Sequence, residues 1–168
     1  MLRWTTFLFA FLLSSALFAQ RYGVVDTEYI LRSMPEYAQA QSQLNKLSEQ
    51  WAGEVSASQS ELESLKDALD AERILLSPDK LEKRQQAITA KQAEIISLQQ
   101  KYFGPEGELF NKRAQLVQPI QDKVFGAVQA VARKRKLELV LDKSANSGVL
   151  FVDKDKDYSD EVLNSLKR

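Results

Sequence analysis

The sequence predicts an α+β fold, mostly helical, with a long antiparallel coiled-coil hairpin on a small β-rich body. Three observations predict it. An apolar stripe at helical spacing runs through residues 36–135, Ser77-Pro78-Asp79 interrupts that stripe, and short strand-like runs flank it at Tyr22-Gly23-Val24-Val25 and beyond Leu137. A stripe of this kind faces one partner helix and leaves the remaining surface to water.

The first 19 residues read as a secretory signal peptide. Arg3 supplies a positive start, residues 4–13 are an apolar run relieved only by Thr5 and Thr6, and Ser14-Ser15-Ala16-Leu17-Phe18-Ala19 offers small residues for cleavage after Ala19. The run is short for a bilayer span, which takes about 20 residues. The expected location of the mature chain is therefore outside the cytoplasm. Residues 20–35 and 119–168 are expected to form the body, and residues 36–118 the arm.

In the body, Arg21-Tyr22-Gly23-Val24-Val25 reads as a strand, and Asp26 suits the cap of a short helix over residues 27–33. Pro35 ends that helix, because the residue before a proline avoids the α region, and then opens the ascending arm. Along that arm Tyr37, Ala40, Leu44, Leu47, Trp51, Val55, Ser58, Leu62, Leu65, Leu69 and Leu76 recur at helical spacing. A helix over residues 36–76 is about 60 Å long at about 1.5 Å per residue, more than a core of this size needs. Ser77 is a suitable N-cap, Pro78 a suitable first residue, and Asp79 favours the positive helix end. The stripe then continues through Leu81, Ile88, Ile95, Leu98 and Tyr102, so the tip lies near residues 77–79.

Both arms carry faults. The heptad slips at Trp51 beside Gly53, and the descending arm contains Gly104-Pro105-Glu106-Gly107. Reflection through a turn midway between Ser77 and Pro78 puts Pro105 opposite position 50. Gly53, Gly104, Pro105 and Gly107 are therefore the expected shared hinge, and alanine at all four should stiffen the arm. Helix resumes near Glu108 and runs to Arg135, with a kink or junction expected at Pro119. The ascending arm has eight acidic and three basic residues, while residues 77–136 have six acidic and twelve basic ones, so the two complement each other. Residues 137–142 and 149–152 read as a strand hairpin joined by a polar turn, with the Tyr22 strand beside one of them. A tail helix over residues 159–167, capped by Ser159, closes the chain. Three short strands leave exposed sheet edges, and oligomerisation through the body would cover them.

Composition narrows the chemistry. Lysine plus arginine equals aspartate plus glutamate at 23 each, so charge gives no argument for nucleic acid. Cysteine and histidine are both missing, which removes disulfides, thiolate sites, the commonest general base and the commonest zinc ligand. An enzyme is not expected, and neither is a cofactor. Asp153-Lys154-Asp155-Lys156-Asp157 begins like a calcium loop, but Tyr158 stands where glycine is needed and Asn164 where glutamate is needed. Arg133-Lys134-Arg135-Lys136 could grip phosphates, although cations at a helix C-terminus also complement its dipole. Two apolar groups remain as candidate binding surfaces. Leu75, Leu76 and Leu81 lie at the tip beside Ile74, and Trp51, Tyr102 and Phe103 lie at mid-arm. Each group could staple the arms or bind apolar segments of another protein.

The strand Tyr22-Gly23-Val24-Val25-Asp26, the charged helical hairpin, Leu116-Val117-Gln118-Pro119-Ile120-Gln121-Asp122-Lys123-Val124, Leu137-Glu138-Leu139-Val140-Leu141-Asp142 and Asp160-Glu161-Val162-Leu163 together resemble the Skp/OmpH family of periplasmic chaperones. The resemblance covers the whole mature chain. It implies a homotrimer whose body joins three helical arms around a cavity. It implies ATP-independent holding of unfolded outer-membrane β-barrel proteins, with Gln118, Pro119, Ile120 and Asp122 at the body–arm junction. Weak contact with membrane lipid also follows from the resemblance. Well-known members are strongly basic, whereas here the charges balance and the upper ascending arm is acidic. The alternative is an exported coiled-coil scaffold that holds no client.

Overall fold

The computed structural model describes residues 21–145 and 148–167. The expected signal peptide and part of the expected turn after Lys143 lie outside them. The chain divides into two compact units, one of residues 34–122 and one of the first 33 residues with residues 123–168.

The first unit is a helical hairpin. Helix α2 spans Pro35–Glu72 and helix α3 spans Pro78–Phe103, following a short helix α1, Thr27–Arg32, that belongs to the other unit. Pro35 and Pro78 each open a helix, where a missing N–H costs nothing. The ascending helix stops at Glu72 and not at Leu76. The Leu75 amide folds back to the Glu72 carbonyl at 2.8 Å, and Ser77 is extended (ψ 156°), as a residue before proline must be. Ser77 occupies the N-cap position, but its hydroxyl makes no capping bond there; its carbonyl accepts the Leu81 amide at 2.9 Å.

The seam has the register expected from a turn between Ser77 and Pro78. Trp51 stacks on Tyr102, with ring centroids 5.0 Å apart and planes 4° from parallel. Higher up, Lys91 bonds Glu61 at 2.5 Å and Arg84 bonds Glu72 at 3.4 Å. Trp51, Val55, Ile95 and Tyr102 form a buried cluster, against which Leu47, Leu62, Leu98 and Leu109 pack.

The two expected faults differ. The ascending helix passes Gly53 without interruption, because flanking turns carry a single glycine that costs about 1 kcal/mol. The descending strand does break. Pro105 lacks an N–H and drives Gly104 to ψ 168°, and the chain turns through a Gly107 amide to Gly104 carbonyl bond of 2.9 Å. Helix α4, Glu108–Arg135, then resumes and runs through Pro119 without interruption. The boundary between the units falls just beyond, after Asp122.

The second unit contains a two-stranded parallel sheet. Strand β1, Tyr22–Val25, pairs with β2, Leu139–Asp142, in the register Tyr22 to Leu139 and Val25 to Asp142. The expected strand hairpin is not formed. Among the described residues 149–152 make no strand, and the sheet has two strands where three were expected. Leu150 and Phe151 are 99 % and 86 % exposed, so a lone chain offers them no apolar surface to pack against. The other side of β1 is occupied by Asp157, through a bridge with Val24 and a Tyr158 amide to Val24 carbonyl bond of 2.8 Å. Asp26 caps α1 as expected, accepting the Tyr29 amide at 2.9 Å. Helix α5 spans Ser159–Leu166 and packs on α1. Ser159 is its first residue and not its cap. Tyr158 holds the cap position without a side-chain bond, and Asp157 just before it accepts from the Ser159 amide at 2.9 Å and hydroxyl at 2.5 Å. Val24, Val25, Ile30, Val162 and Leu163 are buried as the small core.

The glycines at the break corrects the expected stiffening by alanine. A Cβ at Gly53 meets nothing within 4 Å, whereas one at Gly104 runs into the Gln100 carbonyl, and one at Gly107 meets backbone atoms at 2.9 Å. Gly53→Ala should therefore raise stability by about 0.5 to 1 kcal/mol. Gly104→Ala and Gly107→Ala should lower it, and thermal unfolding of the three single variants checks the sign of each.

Candidate functional site

The arm presents two groups of different character. At the tip the chain leaves helix between Glu72 and Pro78, so side chains there lose their neighbours along the seam. Ile74 is 96 % exposed and Leu75 is 86 % exposed, while Leu76 and Leu81 are half-buried. At mid-arm Trp51 and Tyr102 are buried against each other, and Phe103 stands beside them 42 % exposed, edge-on to Tyr102. The Tyr102 hydroxyl donates to the Glu54 carboxylate at 2.6 Å. This bond holds the Glu54 carboxyl below its ordinary range, and it raises the Tyr102 phenol. Of the six candidate residues, Leu75 and Phe103 offer open surface, and Trp51 and Tyr102 form the seam. Ile96 and Phe110 are further exposed apolar residues of the arm that the stripe did not single out. They lie off its spacing, and that departure is the one sequence signal they give.

The second unit holds a polar clasp around its sheet. Lys143 bonds Asp157 at 2.8 Å and lies 3.8 Å from Asp26. Asp142 accepts from the Thr27 hydroxyl at 2.5 Å and from the Ser144 amide and hydroxyl at 3.0 and 2.7 Å. Burial alone would raise both aspartates. For Asp157 it is outweighed by Lys143 and Ser159, and for Asp142 by Thr27 and Ser144, so both carboxyls sit below their ordinary range. An open polar cleft of about 470 Å³ lies over Asp26, Lys143 and Asp157. The basic run is partly engaged. Lys134 and Arg135 both bond Glu161, at 3.0 and 2.8 Å, and hold its carboxyl low. Phe125 on α4, Leu139 and Leu141 on β2, and Leu150 and Phe151 after it are exposed.

Among the described residues no group of three or more His, Cys, Asp or Glu could hold a metal ion, and no helix is long and apolar enough to cross a membrane. The residues expected at the hinge remain as described, with Gly53 in regular helix and Gly104, Pro105 and Gly107 at the break.

A long helical hairpin with an exposed aliphatic tip and a separate small sheet define a class of helical-arm proteins. The family described as "Outer membrane protein (OmpH-like)" matches residues 21–166, and the chain belongs to it. An uncharacterized protein of Aquifex aeolicus (strain VF5) is 31 % identical over 157 residues, covering 94 % of this chain and 92 % of its own. A crystal structure from Caulobacter crescentus CB15, assigned as an OmpH-like outer membrane chaperone, superposes with a TM-score of 0.70 at 18 % identity, covering 89 % of this chain and 85 % of that one. That likeness supports the fold.

The clasp has an acid limit. Folded carboxyls below their unfolded values stabilise the protein above the ordinary carboxylate range, and the contribution is lost as pH falls through the folded values. The second unit should therefore lose stability only below the ordinary carboxylate range. Asp157→Asn should flatten that acid limb in urea unfolding followed across pH.

Proposed function

We propose that the protein is an ATP-independent holdase of the periplasm that binds unfolded outer-membrane β-barrel proteins. In this reading a homotrimer holds the client in the space between three helical hairpins. The observation that carries it is the tip. Ile74 and Leu75 are almost fully in water at the end of a long arm, where apolar surface costs about 25 cal/mol per Å². A tip whose working state is contact with apolar segments of another chain accounts for that exposure. Phe103, Ile96 and Phe110 add weaker apolar contacts along the arm. Many such contacts, each weak, bind an unfolded chain without a fixed pocket and release it without nucleotide.

Other observations agree with this reading. The Caulobacter structure with the same fold is assigned as an outer membrane chaperone. The pattern of residues 1–19 suits export. Leu139 and Leu141 are exposed on β2, and Leu150 and Phe151 are exposed beyond it. Pairing between copies would cover these groups and the open strand edge. Balanced charge gives no basis for nucleic-acid binding.

Two measurements test the reading. Light scattering should give a trimer at micromolar concentration, and Leu150→Ser with Phe151→Ser should dissociate it. A folded monomer of the unaltered chain would overturn the assembly. In a dilution assay with a urea-unfolded β-barrel protein, the unaltered protein should suppress aggregation. Ile74→Ser with Leu75→Ser should weaken client binding about tenfold with the trimer intact. An intact trimer that suppresses nothing would point to the scaffold alternative.

A further inference from the structure

Client holding by itself does not account for the joint in the descending strand or for the aromatic cluster beside it. At that height one strand of the arm is continuous helix and the other is interrupted between Phe103 and Glu108. Just before the joint, Tyr102 stacks on Trp51 and bonds Glu54, and both of those residues belong to the continuous helix. Just beyond the joint, Leu109 packs on the same cluster. The near side of the interruption is thus fastened to one short stretch of α2, and the far side packs on the same cluster. The ring planes lie 4° from parallel and both rings are buried, so the stack and the Tyr102–Glu54 bond together fasten the chain just before the joint.

We propose that Trp51, Glu54 and Tyr102 form a catch, and that the arm yields by its release, with the descending strand moving at Gly104–Gly107 while the ascending helix stays intact. The joint supplies the freedom, because four residues there lie outside helix and Pro105 has no amide to continue the hydrogen-bond ladder of α3. The catch supplies the restraint. Phe103 links it to the outside, since this exposed ring touches Tyr102 edge-on at 6.3 Å and 75°. An apolar segment seated on Phe103 bears directly on the catch. The use of the catch, widening the arm for a client, rests on the holdase reading. Its mechanics do not.

Hydrogen exchange on the mature protein tests the mechanics. Amides of residues 103–110 should exchange faster than those of residues 44–58. Tyr102→Phe keeps the stack and removes the bond. It should speed exchange of residues 103–110 roughly fivefold and leave residues 44–58 unchanged, with helix content preserved. Acceleration of both stretches together would overturn the proposal, because the cluster would then be a staple for the whole arm. Unchanged exchange would overturn it as well, because the bond would restrain nothing. Trp51 is the single tryptophan beyond the signal segment, so its emission reports the stack in the mature protein. A urea-unfolded β-barrel protein free of tryptophan should shift that emission to the red, and Phe103→Ala should abolish the shift under conditions where suppression of aggregation shows that the client is still held. Clients held with no change at Trp51 would overturn the catch and leave the holdase reading standing. If no client is held, the holdase reading fails and the exchange data still decide the catch.

Discussion

A hairpin of two helices has one seam and nothing behind it. Each helix buries a single stripe, and the rest of its surface stays in water. The stability of such an arm therefore depends on how much its few seam residues bury. Here the largest of them meet at one level. Trp51, Val55, Ile95 and Tyr102 are buried together, and the Trp51–Tyr102 stack joins the two largest side chains of the seam face to face. Above that level Ser58 and Leu69 are the buried positions of the ascending helix, and ion pairs such as Lys91–Glu61 take over the contact between strands. Exposed pairs contribute only about 0 to 1 kcal/mol each. The arm is held most firmly at mid-height and least firmly toward its tip.

That gradient suits a surface that must adapt. The end of the arm carries two aliphatic side chains in water, and the firm level carries one exposed aromatic, Phe103, attached to the buried stack. Apolar contact is non-directional and scales with area. It can therefore grip many sequences without a shaped pocket, as the proposed holding of an unfolded client requires. The small unit follows a different logic. Its sheet has only two strands, and its core rests on Val24, Val25, Ile30, Val162 and Leu163. A polar clasp of Lys143, Asp157, Ser159, Asp142, Thr27 and Ser144 ties the sheet to the helix starts around it. Aspartates that accept several hydrogen bonds and one cation can be partly buried and still remain charged.

The sequence by itself determined the elements whose cause is local. Asp26 as cap, Pro35 and Pro78 at helix starts, the long apolar stripe and the break at Pro105 all follow from dihedral limits and helical periodicity, and each stands in the structure. The register of the arms was legible too, because one turn with known ends fixes every pairing along a hairpin. The tertiary structure alone decided the rest. A strand needs a partner, and residues 149–152 have strand-like composition but pair with no strand among the described residues, while β2 pairs in parallel with a strand more than a hundred residues away. The first amide of α5 bonds Asp157, which the bridge to Val24 holds in place, a non-local fact that its neighbours in sequence do not carry. Gly53 and Gly104 look alike in sequence, yet one has open space around it and the other faces the Gln100 carbonyl. Exposure at the site followed the same division. Composition named the apolar residues of tip and mid-arm, but only packing separated the buried Trp51 and Tyr102 from the open Ile74, Leu75 and Phe103, because burial depends on what the rest of the chain brings alongside.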